Sequence, residues 1–167
     1  MIYYSGIGSR FVPSEVIDQI FKLSIRLAEK QFVLRSGAAD GCDSAFEVGC
    51  DSVRGKKEIY LPWKNFNNNN GIDSTQLKTY NRAEKLAEKF HPGWKYLKHY
   101  AKKFHTRNVY QVLGENLRTP AGFVICYTCD GKASGGTGQA MRIAEHYEIS
   151  IFNLYFQDVY DKILEQL

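Results

Sequence analysis

Ala121-Gly122-Phe123-Val124-Ile125-Cys126-Tyr127, followed a few residues later by Ser134-Gly135-Gly136-Thr137-Gly138-Gln139, is the stretch that decides the fold. The apolar run from Ala121 to Tyr127 reads as a buried strand, and the segment from Gln139 to Tyr147 reads as a helix. Glycines placed between a strand and a helix bring the backbone close to a ligand with no side chain in the way. Amides at the start of the helix then face that ligand and favour an anion, most often a phosphate. Glycine-rich turns arise by chance, so one alone is weak evidence. Two more turns of the same kind, after Ile7 and after Ser36, make it a pattern.

Working outward, Ile2 to Ile7 is a first strand that ends at Gly6-Ile7-Gly8-Ser9-Arg10. Pro13 and Ser14 open a helix with Glu15 and Asp18 in its first turn, and Val16, Ile20, Leu23 and Leu27 recur at helical spacing. Phe32-Val33-Leu34 is a second strand leading into Arg35-Ser36-Gly37-Ala38-Ala39-Asp40-Gly41, and a helix from about Cys42 to Val53 places Ala45, Phe46 and Gly49 on a closely packing face. Glu58 to Leu61 is a third strand, stopped by Pro62. Asn65 to Ser74, with its asparagine run, carries no helix or strand signal. Helices are expected over Leu77–Phe90 and Tyr96–Leu117, separated by His91-Pro92-Gly93. A last strand (Ser150 to Leu154) and a short helix with Val159, Ile163, Leu164 and Leu167 close the chain.

This alternation specifies an α/β protein: a three-layer α/β/α arrangement with a mainly parallel sheet of about five strands, in a single domain over residues 1–167. Right-handed crossovers put every loop that follows a strand on one edge of the sheet, where ligands bind in open α/β folds. The three glycine turns therefore converge in space.

Composition agrees with a soluble globular chain: 167 residues, 44% hydrophobic and 24% charged. No apolar run reaches membrane-spanning length, and Met1 to Gly6 has neither a basic leader nor a cleavage pattern, so a cytoplasmic location is expected. Cys42, Cys50, Cys126 and Cys129 then read as reduced thiols, with Cys126 and Cys129 at metal-like spacing but no second pair to complete a site. No metal and no cofactor is expected. The net charge of +4 is concentrated between Lys85 and Arg107, a stretch that suits either a solvated helix face or a polyanionic partner.

The first turn offers Gly6, Gly8, the Ser9 hydroxyl and the Arg10 guanidinium, which can grip a phosphate through paired hydrogen bonds. It lacks the third glycine of the dinucleotide fingerprint, and no Walker A lysine-serine pair exists, so triphosphate hydrolysis is not expected. The second turn supplies Ser36 and Gly37 together with Asp40, Asp43 and Glu47. Asp43 and Glu47 share a helix face and are candidates for holding ribose hydroxyls or serving as a general base; helix capping by Asp40 and a solvated Glu47 is the plainer alternative. Arg107 is a candidate phosphate ligand or leaving-group stabiliser. Ser134, Gly135, Gly136, Thr137, Gly138 and Gln139 complete the candidate phosphate cradle. Aromatics near the strand ends (Tyr3, Tyr60, Trp63, Phe66, Tyr127) are core by default, with stacking on a base as the alternative.

These motifs, in this order together with Arg107-Asn108, resemble the SLOG superfamily, which includes the DNA-processing DprA/Smf proteins and the LOG-type ("Lonely guy") phosphoribohydrolases. The resemblance spans Ile2 to about Leu154 and is nearest to small stand-alone DprA-like proteins of bacteriophages. It implies a Rossmann-like fold with a pocket for nucleotides, nucleotide sugars or ADP-ribose derivatives, assembly as dimers or tetramers and, for a viral chain, residence in the host cytoplasm. The LOG enzymes use an Arg-Lys pair and a glutamate in a Gly-Gly-x-Gly-Thr-x-x-Glu motif. Here Asn108 stands in place of the lysine, Gln139 in place of the threonine and Arg142 in place of the glutamate.

Three functions follow as expectations. The first is binding of a small nucleotide-derived ligand, as a sensor or as a sequestering protein directed at a host nucleotide immune signal. The second is a nucleotide N-glycosidase using Asp43, Glu47 and Arg107. The third is single-stranded DNA binding through the basic stretch and its interleaved Trp94, Tyr96, Tyr100 and Phe104.

Overall fold

In the computed structural model, which describes residues 1–167, the chain runs β1 (Tyr3–Gly8), α1 (Ser14–Glu29), β2 (Val33–Ser36), α2 (Cys42–Ser52), β3 (Lys57–Leu61) and β4 (Ile72–Asp73). It continues through α3 (Tyr80–Lys89), α4 (His99–Leu113), β5 (Phe123–Tyr127), α5 (Gly135–His146), β6 (Ser150–Asn153) and α6 (Gln157–Gln166). The sheet is parallel throughout, in the order β4-β3-β2-β1-β5-β6. The chain steps outward from β1 to β4, then returns over α3 and α4 to lay β5 against the free side of β1. Strand order thus reverses between β1 and β5, and the loops leaving these two strands diverge into a crevice.

Side-chain alternation divides the core between the two faces. Tyr4, Leu34, Ile59, Leu61 and Ile125 meet Ile20, Leu23 and Leu27 of α1, Phe46 of α2 and Ile163 of α6. Tyr60, Val124 and Cys126 point the other way, against Ala83 of α3, Val109 and Val112 of α4 and Ile143 of α5. Buried on both faces, β5 shows a continuous apolar run rather than a polar alternation. Gly49 lets α2 close on α1, because a Cβ there would stand 2.7 Å from the Phe21 carbonyl oxygen.

The Rossmann-like α/β class is as expected; the strand count is six rather than about five. The additional strand, β4, lies in the segment read as plain loop. Its two residues pair with β3 (Ile72 with Tyr60, Asp73 with Leu61), and two residues cannot display a period. The glycine turn is also placed differently. Gly135 to Gly138 form the first turn of α5 rather than a loop ahead of it. No helix is long and apolar enough to cross a membrane.

Phe46 has no solvent exposure and its ring lies 6.2 Å from that of Tyr4. Phe46→Ala is expected to lower unfolding stability by about 3–5 kcal/mol, read from the urea midpoint at an unchanged m-value.

Candidate functional site

A cleft of about 480 Å³ occupies the point where β1 and β5 part. Five segments line it: Ile7 to Phe11 at the end of β1 and beyond, Ala39 and Asp43 after β2, one side of α4, Thr128 and Cys129 after β5, and the start of α5 from Ser134 to Thr137.

The start of α5 is open. Ser134 occupies the capping position, but its hydroxyl donates to Asp130 Oδ1 at 2.9 Å and makes no cap. The first amides of the helix therefore keep their donors for whatever enters the cleft. A Cβ on Gly135 or Gly136 would meet nothing within 4 Å. Gly138 is glycine for a different reason, because a side chain there would overlap the backbone of Ala133.

Arg107 comes from the inner part of α4, where every residue from His105 to Leu113 is buried. The side chain is 5% exposed. Nη1 donates to the carbonyl of Gly37 and, at 3.5 Å, to that of Tyr60, while Nε donates to Asn108 Oδ1 at 3.2 Å. Gly37 is needed for this approach, since any Cβ there would overlap the guanidinium. The ion pairs of the protein are Arg35–Glu58, Lys57 with Glu47 and Asp51, and Lys162–Asp158, so Arg107 has no carboxylate within 4.0 Å. Burial pulls its pKa down, against the opposing influence of Asp43. Asn108 turns outward from the same helix and donates to the Gly136 carbonyl at 3.1 Å, coupling α4 to the open start of α5.

Asp43, 3% exposed, is the only acid lining the cleft. Its Oδ2 accepts from the Gly37 amide at 3.0 Å and from Gln111 Nε2 at 3.3 Å. Burial pushes its pKa up to about 6 even though Arg107 pulls it down. At the rim, Arg10 is exposed and lies 5.5 Å from the centre of the Phe104 ring, with Arg107 at 5.7 Å from the same ring.

Of the residues singled out in the sequence, Gly8, Ser9, Arg10, Asp43, Arg107 and Ser134 to Thr137 line this cleft. Others are placed elsewhere. Gly6 is covered by Phe46, whose ring would lie 2.6 Å from a Cβ; Ser36 donates to the Gly6 carbonyl at 2.6 Å; Gln139 is fully buried and donates to the Ala87 carbonyl at 3.1 Å. Asp40 is exposed outside the cleft and does not cap α2, whose cap position is Gly41. Glu47 is held away by Lys57 at 2.7 Å and Asn69 at 3.0 Å. Arg142 donates to the Phe90 carbonyl at 2.9 Å and the Ala133 carbonyl at 3.3 Å, bracing α3 against the glycine turn.

Residues not singled out also line the cleft, among them Phe11 (84% exposed), Gln111 and His105. Burial, with His91 alongside, lowers the His105 pKa to about 4, so the imidazole is neutral at physiological pH. Cys129 is exposed in the cleft, while burial raises the Cys126 thiol to about 12. In the basic stretch Trp94 is buried, whereas Tyr96 and Tyr100 project into solvent.

Comparison with models of known families finds no match, and comparison with curated proteins finds none either. Among solved structures, DNA processing protein A from Helicobacter pylori, described for its single-stranded DNA binding mode, superposes with a TM-score of 0.58 at 16% identity over 99% of this chain and 72% of its own. DNA processing protein A (DprA) from Streptococcus pneumoniae gives a TM-score of 0.55 at 16% identity, over 99% of this chain and 56% of its own. At this identity the shared feature is the fold.

Asp43 supplies a pH-dependent test of this geometry. The folded chain retains the Asp43 proton up to about pH 6, whereas the unfolded chain releases it near 3.8. Between those values the native state binds more protons, so the contribution of this site to stability falls as pH rises and is level above the window. Relative to Asp43→Asn, the wild type is expected to lose stability from about pH 4 to about pH 6, read from urea midpoints across that range.

Proposed function

We propose that this protein binds a phosphate-containing, nucleotide-derived ligand (a nucleotide, nucleotide sugar or ADP-ribose derivative) in the cleft between β1 and β5, and acts as a sensor or sequestering protein. The observation that carries this reading is Arg107: a guanidinium buried at the cleft with no carboxylate in ion-pair range. Asp43, outside ion-pair range, compensates this buried charge only in part, and an anion in the cleft offsets the remaining cost. The uncapped start of α5 and the exposed Arg10 add donors around the same space.

Binding without turnover fits the rest of the site better than hydrolysis does. Arg142, at the position where LOG enzymes carry their glutamate, is committed to two backbone carbonyls. Glu47 is committed to Lys57 and Asn69, leaving Asp43 as the one acid in reach. A second reading, single-stranded DNA binding, is favoured by the structural neighbours and by Tyr96 and Tyr100, exposed beside Lys95, Lys98 and Lys103. Exposed rings beside cations stack bases and track a phosphate backbone.

Calorimetric titration with a nucleotide panel tests the first reading, with native mass spectrometry reporting assembly state and any co-purified ligand. Arg10→Ala is expected to weaken binding about tenfold or more, since a charge-assisted contact is lost. Recovery of the ligand chemically unchanged is expected; turnover would transfer support to the hydrolase. A gel shift at low salt that weakens in a Tyr100→Ala, Lys103→Ala double variant would support the DNA reading.

A further inference from the structure

We infer that Asp43 makes the cleft selective for a ligand carrying a free ribose hydroxyl close to its phosphate. The inference rests on the phosphate reading above and concerns the same cleft. In an anion site a carboxylate repels the ligand, so beyond partly offsetting Arg107 its place in the lining calls for a further reason. Yet Asp43 is the only acid among the lining residues, beside Arg10, Arg107 and the neutral His105.

The carboxylate is not consumed by the fold. It forms no ion pair with Arg107 within 4.0 Å, and the hydrogen bonds from the Gly37 amide and from Gln111 Nε2 both arrive at Oδ2. The Ala39 amide also bonds this carboxylate, so three donors reach a group with about four lone-pair sites, leaving one acceptor site at the wall of a cationic pocket. Gln111, which holds the carboxylate, stands four residues beyond Arg107 on α4, a rise of about 6 Å.

The group that takes this remaining acceptor site must donate a proton and carry no negative charge of its own. A ribose hydroxyl meets both conditions, and a second phosphate meets neither. Sites built around such a contact reject the analogue that lacks it, because the acceptor is then left desolvated and unpaired. Internal nucleotides of DNA offer no such hydroxyl: the 2′ position has none and the 3′ oxygen is esterified. A DNA strand therefore engages the exposed tyrosines and lysines of the basic stretch without satisfying this cleft.

The test compares wild-type affinities for the four ribonucleoside 5′-monophosphates with those for their 2′,3′-dideoxy counterparts, with pyrophosphate as a competitor. The ribo forms are expected to bind about ten- to a hundred-fold more tightly. In Asp43→Asn, shown to be folded by its thermal transition, that ratio is expected to collapse to within about threefold, since a neutral amide is a weaker acceptor. Equal wild-type affinity for ribo and dideoxy forms, both displaced by pyrophosphate, would overturn the role of Asp43 and leave the phosphate reading standing. Absence of binding by every nucleotide and by pyrophosphate would overturn both. The wild-type comparison decides the matter even where the variant fails to fold.

Discussion

A buried positive charge organises this molecule. The guanidinium of Arg107 is withdrawn from water and held by carbonyls at the ends of two strands, Gly37 after β2 and Tyr60 within β3. Those bonds lock α4 across the C-terminal edge of the sheet, and the lock in turn requires a glycine at position 37. Asp43 and Gln111 form a second tier next to it, and Asn108 passes the connection on to Gly136. Remove the charge and the helix loses its registration on β2 and β3.

The same charge is the centre of the proposed grip on an anion. Its neighbourhood is rich in groups that hold an anion and poor in groups that move protons: one acid, a neutral imidazole and a set of amides. The arginine at position 142 is explained by packing rather than by lost function. It bridges the end of α3 to the segment before α5, and an acid in its place would repel the two carbonyls that it now satisfies.

Much of the architecture was readable from periodicity. Helix faces such as Ile20, Leu23 and Leu27, and strands such as Val124 to Tyr127, each present enough residues to show their spacing. β4 did not, being two residues long beside an asparagine run. The three glycine turns were also legible, but the role of each glycine was not. Gly6 and Gly138 are small because of Phe46 and the Ala133 backbone, contacts that exist only after folding. Glu47 shows the same limit, because Lys57 and Asn69 claim its carboxylate from distant parts of the chain. One signal was present and unused. Phe104, Arg107, Asn108 and Gln111 fall at i, i+3, i+4 and i+7, a helical face that the structure turns into the wall of the cleft. A polar stripe within a helix destined for burial is a better guide to a site than any one of its residues.

The start of α5 separates two kinds of freedom. Gly138 cannot change without disturbing the backbone that supports it, and Gly135 sits at φ 60°, where other residues are strained. Gly136 has neither restriction: no positive φ, and nothing within 4 Å of a prospective side chain. A substitution there leaves the scaffold intact and alters only the shape and charge met by an incoming molecule. Position 136 is therefore a place where the wall of the cleft can vary while the fold is inherited unchanged.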